Sequence, residues 1–483
     1  MTETKSTQPP AANGSSQALT TSSSATATAA ALASPAISPD GSSLTTADSS
    51  RPPRLMQSLR MRILFMLSIL GPGLITATVD NDSGGIATYS LAGAWFGYDL
   101  LWTLIPITVL LVVTMEMSAR LGAVTGQGLA DLLRERFGVK VTFWVLLMVL
   151  IANFGTVISE FSGIASSIDI FGAALGYGTS LDWLKYILIP LLAYGLWKLI
   201  TEYDYKKIEK LFLLSIFFYL AYPISAYLAK PDWGGAFKAL VVPVWRYDAT
   251  YMLTMIGVIG TTITPWMQFY LQSTLIEKGV TTKNYATAKW DVILGCCTTD
   301  VISFFIIVAC AVTLSPSFHP GLPQVTSIDE IGRSLVPLAG KYAGFLFAFG
   351  LFNASIFGAA ILPLSTAFAI CEGMGWERGM NKTYDEAPLF YWIFTSLIVI
   401  GALLVLMPGL TGLYLAVMRM SQVAQGLILP PFLYYLVKLG DDRSLLGEYA
   451  NPRWLSIFSW ICVAVLTVID GVLLFSTIKE LVV

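Results

Sequence analysis

One hydrophobic span that breaks in its own middle constrains this chain more than any other feature. Residues from about 62 to 96 read as a single membrane crossing, yet their centre is Asp80-Asn81-Asp82-Ser83-Gly84-Gly85. A carboxylate at mid-bilayer costs several kcal/mol unless something compensates it. Two glycines let a helix unwind there, and the carbonyls so freed need a partner. A bound cation would satisfy both demands. A second span, Tyr251 to Leu275, is interrupted in the same way at Thr264-Pro265. Paired broken helices in matching positions of two halves are the sequence mark of a secondary-transporter binding site.

The remaining sequence places those breaks inside an integral membrane protein. Hydrophobic residues are 55% and charged residues 12% of the chain, half the charged fraction of a soluble domain. Eleven stretches are long enough to cross, over residues 62–95, 99–121, 141–170, 183–200, 209–229, 250–276, 290–315, 338–372, 389–408, 411–437 and 454–478. Residues 1–55, rich in Ser, Thr, Ala and Pro, read as a disordered cytoplasmic tail, and 56–483 as the transmembrane domain. With the N-terminus inside, about 21 of the 29 basic residues fall on the cytoplasmic side. Eleven crossings then put the C-terminus outside, and the expected location is the cell membrane. The five cysteines sit in hydrophobic spans with no CxxC pair and read as packing residues.

Spans 1–5 and 6–10 each hold five crossings. An odd number inverts the second unit relative to the first, and both units open on a broken span. That is the inverted-repeat plan of LeuT-type transporters, with an eleventh span at the periphery. The expected fold is therefore all-α, with eleven transmembrane helices and breaks in the first and sixth. A nucleophile–base arrangement, an HExxH motif and a phosphate-binding glycine loop are all missing, so an enzyme is not expected.

At this point the residues resemble the Nramp divalent-metal transporters. The likeness rests on Gly71-Pro72-Gly73, eleven residues from its first glycine to Asp82, then on Ala92-Gly93-Ala94 and Leu100-Leu101-Trp102. It continues in Ser118-Ala119-Arg120-Leu121-Gly122, Thr125-Gly126, Leu129-Ala130, Glu160-Phe161, Glu372-Gly373 and Ser421-Gln422-Val423. The departures are informative. Where the family carries Asp-Pro-Gly-Asn, this chain has Asp82-Ser83-Gly84-Gly85, so the amide ligand has become Gly85. Where the family carries Met-Pro-His, this chain has Thr264-Pro265-Trp266, so a thioether has become a hydroxyl. Sulfur favours softer metals, whereas carboxylate, hydroxyl and water suit Mg2+, Ca2+ or Mn2+. The pattern is similar to the Nramp-related magnesium transporters. It implies a carrier of Mg2+, with Mn2+ as a second substrate, passing a partly hydrated ion.

The resemblance then implies a ligand set. Asp82 is the charged ligand. Thr264, the backbone around Thr261 and Gly85, and Gln422 are polar contacts, direct or through water. Asp80 and Asn81 line the same cavity or its outer vestibule. Trp266 walls or gates the cavity, or simply packs against span 1, and Gln268 lies just beyond it. The family's proton route is largely missing: of its span 3 pair only Glu160 remains, with Val157 at the other position. Residues 389–407 contain no arginine, and the single histidine is His319. Proton coupling is expected to be absent or weak.

Other charges fall within the spans. Glu116 stands four residues before Arg120, which suggests a pair along one helix. Arg419 is expected as a strut paired with Glu160 or Glu116. Asp300 either accepts hydrogen bonds from Thr298 and Thr299 or contacts a second cation. The substrate is thus a divalent ion and the surroundings a lipid bilayer; no cofactor and no nucleic acid are expected, and one monomer suffices. A LeuT-type carrier of a cationic amine or amino acid is the alternative.

Overall fold

The computed structural model describes residues 71–176, 182–202, 213, 216–316, 325–328, 330–331, 341–380, 382–409 and 411–482. The expected tail over 1–55, the start of the first span and His319 lie outside them. Every regular element among the described residues is helical. In order they are α1 (Pro72–Thr78), α2 (Ser83–Phe96), α3 (Leu104–Thr125), α4 (Leu129–Phe137), α5 (Val139–Ala174) and α6 (Lys185–Glu202). Then come α7 (Ala221–Leu228), α8 (Trp233–Ala239), α9 (Ala249–Thr262), α10 (Pro265–Glu277), α11 (Tyr285–Leu314) and α12 (Lys341–Met374). The chain closes with α13 (Pro388–Val405), α14 (Tyr414–Asp441), α15 (Arg443–Leu446) and α16 (Arg453–Val482).

Eight continuous helices among the described residues are long and apolar enough to cross a membrane. The two broken spans, α1 with α2 and α9 with α10, add to these. Each half is too short to cross alone. The expected fifth span falls partly on undescribed residues and appears as α7 and a preceding turn, so the count of eleven is not established. Between the second and third spans lies α4, whose Leu129, Ala130, Leu132 and Leu133 are buried on one face. Asp131 in its first turn and Arg134 and Arg136 in its last turn complement the helix dipole. Outermost is α16, which packs on α14 and leaves Trp454, Ile457 and Val468 exposed. Such an apolar exterior suits lipid.

The two halves pack reciprocally. α2 lies on α11, and α10 lies on α3. α5 and α12 form the broadest contact, with α14 laid against α5. Polar side chains pin that seam: the Gln425 amide donates to Asn153 (3.0 Å) and Thr156 (3.1 Å), and Asn153 donates to Thr366 (2.8 Å). Buried amides without such partners would each cost about 1–3 kcal/mol.

The first half-helix shows how local sequence sets this packing. Pro72 occupies the first helical position, where its missing N–H is no loss. The remaining free N–H groups are capped from another helix. Asp291 of α11 accepts from Gly71 (3.2 Å), Gly73 (2.7 Å) and Leu74 (3.2 Å). A Cβ on Gly73 would fall 2.7 Å from the Val292 nitrogen, so only glycine admits this approach. The linker that follows α1 is pinned to the same helix. Asn81 donates to the Thr299 carbonyl (3.1 Å) and hydroxyl (2.6 Å) and accepts from Ser303 (2.9 Å).

The glycines of the first break are a correction to the sequence reading. They do not unwind the chain. The helix resumes at Ser83, with Asp82 as its N-cap accepting from the Gly85 N–H at 2.5 Å. A carboxylate at the cap satisfies an orphan donor and so restarts the helix early. The non-helical stretch is Val79–Asp82, and Gly84 and Gly85 belong to the first turn of α2.

Replacing Asp291 with alanine strands three backbone donors, two of them buried and one partly buried. A thermal-shift measurement on the purified protein is expected to show a destabilisation of about 3 kcal/mol, whereas Asp291→Asn, which keeps one acceptor, loses less.

Candidate functional site

Both breaks expose main-chain oxygen by construction. At the second, Pro265 has no N–H, so the Thr261 carbonyl one turn earlier has no helical donor. Ile263 and Thr264 form the linker, and Thr264 takes the N-cap position of α10 without its side chain making a cap bond. At the first break the Asp80 carbonyl points back toward α2.

These groups converge on Gly85. A Cβ placed there would lie 2.6 Å from the Asp80 carbonyl oxygen, 2.8 Å from Thr261 Oγ1 and 3.2 Å from Asp82 Oδ1. The missing side chain of Gly85 thus leaves a space bounded by three oxygens of different kinds. Gln422 of α14 reaches the same carboxylate, donating to Asp82 Oδ1 at 3.3 Å. It can do so only because residue 84 is glycine: a Cβ on Gly84 would stand 1.9 Å from Gln422 Nε2. Three buried oxygens of this region have no hydrogen-bond partner: Thr261 Oγ1, Thr264 Oγ1 and Gln422 Oε1. Oxygens left bare in a dry interior cost free energy unless a ligand or water meets them.

The acidic groups fall into two pairs on either side of the first break. Asp82 meets Glu160 of α5, whose Oε2 also accepts from the Ser83 N–H at 3.2 Å. Room for Glu160 comes from Gly358 of α12, where a Cβ would sit 2.5 Å from its carboxyl carbon. Asp80 turns the other way, toward α11. Its Oδ2 accepts from the Thr299 hydroxyl at 3.3 Å, and its Oδ1 has no partner. Asp300 lies near enough to repel it. Exposure is 1% for Asp80, 2% for Asp82, 0% for Glu160 and 5% for Asp300, so water screens none of them. No ion pair among the described residues includes any of the four.

The structure separates the other expected residues. Asn81 spends its whole amide on Thr299 and Ser303, so its side chain anchors the break and does not face Gly85. In the orientation that satisfies its neighbours, Gln268 donates to the Thr264 carbonyl (2.6 Å) and the Pro265 carbonyl (3.1 Å), closing the second break from its own helix. Trp266 is fully buried, with its carbonyl accepting from Ser365 at 3.1 Å and its indole N–H unpartnered. Glu116 pairs with Arg120 at 3.3 Å along α3, and Tyr285 and Lys289 (3.7 Å) also reach it.

Two expectations are overturned. Arg419 is not a strut to Glu160 or Glu116: its guanidinium lies 5.2 Å from the ring centroid of Trp95, a cation–π contact at the end of α2. The hydroxyls beside Asp300 do not serve it. Thr298 donates to the Leu294 carbonyl (2.7 Å), and Thr299 faces Asp80 and Asn81. The Thr108 hydroxyl also faces Asp300, but its single proton goes to the Leu104 carbonyl (2.7 Å). Two residues that shape the site, Asp291 and Ser303, were not singled out in the sequence, and Thr299 was considered only as a partner of Asp300. A carboxylate and two hydroxyls within one apolar span were the available signal.

Comparison with known proteins bears on the family and the fold. The family model described as "Natural resistance-associated macrophage protein-like", Nramp, matches residues 73–476. The divalent metal cation transporter MntH of Klebsiella pneumoniae is 27% identical over 418 residues, covering 85% of this chain and 95% of that one. The MntH of Yersinia pestis gives the same identity and coverage. Among solved structures, a manganese transporter of Eremococcus coleocola superposes with a TM-score of 0.66 at 20% identity, over 89% of this chain and 90% of that one. MhsT, solved with L-phenylalanine, superposes with a TM-score of 0.52 at 14% identity, over 85% and 98%. These two likenesses speak to the fold alone. With a family model covering most of its length, the chain belongs to the Nramp family and is a membrane transporter rather than an enzyme.

Proposed function

We propose that this protein transports divalent metal cations across the cell membrane, with Mg2+ as its principal substrate and Mn2+ also accepted. The relatives named for divalent metal transport support the broad class. The observation that carries the choice of ion is the donor set around Gly85, which is carboxylate, carbonyl and hydroxyl throughout. Hard cations prefer such oxygens, and no thioether or imidazole occupies position 264 or 266 to favour a softer metal. Among the described residues no three His, Cys, Asp or Glu side chains converge. An ion at the break is then held by one or two carboxylates and keeps part of its water, the habit of Mg2+. In this reading Asp82 supplies the charge. The Asp80 carbonyl, Thr261, Thr264 and Gln422 orient the remaining shell. The family's metal case replaces the amine carrier considered from the sequence.

Transport proceeds without proton exchange in this reading. Residue 266 is Trp, residue 157 is Val, and residues 389–407 hold no arginine to pass a proton onward. The membrane potential suffices: a divalent ion gains about 4.6 kcal/mol across 100 mV.

Uptake of Mg2+ into liposomes by the purified protein tests the proposal. Asp82→Ala is expected to abolish it, and wild-type uptake by that variant would remove the basis of the reading. Internal pH, followed with a trapped dye, is expected to stay level during Mg2+ entry; acidification in step with uptake would show coupling. Gly85→Ala places its methyl among the three oxygens and is expected to lower Mg2+ uptake about tenfold, or about 1.4 kcal/mol. Thr264→Met restores sulfur at the break and is expected to raise Cd2+ transport relative to Mg2+ about tenfold, measured as competition between the two ions.

A further inference from the structure

The central site uses one of the two carboxyl pairs that flank the first break. The other, Asp80 with Asp300, has no part in it. Its two members come from different elements, the linker before α2 and the middle of α11. Asp300 is 5% exposed, and neither of its carboxyl oxygens has a hydrogen-bond partner. Asp80 Oδ1 is bare as well, while its Oδ2 is held toward α11 by Thr299. The nearby hydroxyls are already engaged: Thr108 with Leu104, Thr298 with Leu294 and Ser303 with Asn81. Tyr89 lies close to both carboxyls and bonds the Thr262 hydroxyl at 2.7 Å. No lysine or arginine pairs with either acid among the described residues. Three bare carboxyl oxygens, one from Asp80 and two from Asp300, are thus buried near one phenol without a positive partner among the described residues.

We propose that Asp80 and Asp300 form a second divalent-cation position, separate from the one at Gly85 and occupied together with it. The inference rests on the transporter reading above. Charge supports it. Asp82 and Glu160 offer two negative charges at the central position, and Asp80 and Asp300 offer two more. Two divalent ions neutralise all four. The donors are again oxygens only, so the second ion belongs to the same hard class and completes its shell with water. The main chain connects the positions, because the Asp80 carbonyl bounds the first while its side chain serves the second.

Equilibrium dialysis of Mn2+ against the full chain in lipid nanodiscs tests this, with free Mn2+ read by electron paramagnetic resonance. The wild type is expected to bind about two ions, and Asp300→Asn and Asp82→Asn about one each, because each removes one carboxylate from a different pair. Melting in EDTA provides the folding control. Asp300→Asn relieves an unpaired buried charge, so it is expected to melt no lower than wild type without metal. It is also expected to gain less from added Mg2+. An Asp300→Asn protein that binds as many ions as wild type overturns the inference, and the central reading then stands on Asp82→Asn alone. If Asp82→Asn binds as many ions as wild type, the central reading fails, whatever Asp300→Asn does.

Discussion

The structure turns on four carboxyl groups held in the dry middle of a helical bundle, none of them in an ion pair with a basic side chain among the described residues. Taking one carboxylate out of water costs several kcal/mol even after the protein relaxes. Proteins usually meet that cost with lysine or arginine, as this one does elsewhere: Glu116 has Arg120, and Glu372 and Asp131 share Arg378. Around Asp80, Asp82, Glu160 and Asp300 that solution is withheld. Backbone donors and hydroxyls take up some oxygens and leave others bare. Bare carboxyl oxygens in such a centre call for a proton or a metal cation as their partner.

Glycine makes the arrangement possible through space rather than flexibility. Gly84 admits Gln422, Gly85 leaves room among three oxygens, Gly358 admits Glu160, and Gly73 lets α1 lie against α11. In each case a single methyl would clash with an atom of the site or with the helix packed against it. The polar centre is therefore assembled from backbone closeness as much as from side-chain identity.

Much of this was legible in the sequence. Apolar spans of crossing length, a Thr-Pro interruption and an Asp-rich interruption gave the helical membrane class and located both breaks. Asp82, Gly85, Thr261 and Gln422 do come together. What escaped was direction. A sequence does not say which way Asp80 and Asn81 turn out of an irregular linker, and both turn toward α11. Nor does spacing alone reveal that Arg419 meets an aromatic ring, since its partner lies on a helix more than three hundred residues away. The glycines were read as unwinding residues because a capping carboxylate just before them can be recognised only once the helix is seen to restart there.

The grip of α11 on α1 has a mechanical consequence. Asp291 holds the start of the short helix, and Thr299 and Ser303 hold Asn81 in the linker just beyond its end. The two anchor points lie eight to twelve residues apart on α11, about 12–18 Å at helical rise, close to the length of the segment they hold. Two rivets along one beam remove the freedom to swing about a single hinge. The segment from Gly71 to Asn81 is therefore fastened to α11 as a plank at both ends, so that a tilt of one carries the other with it.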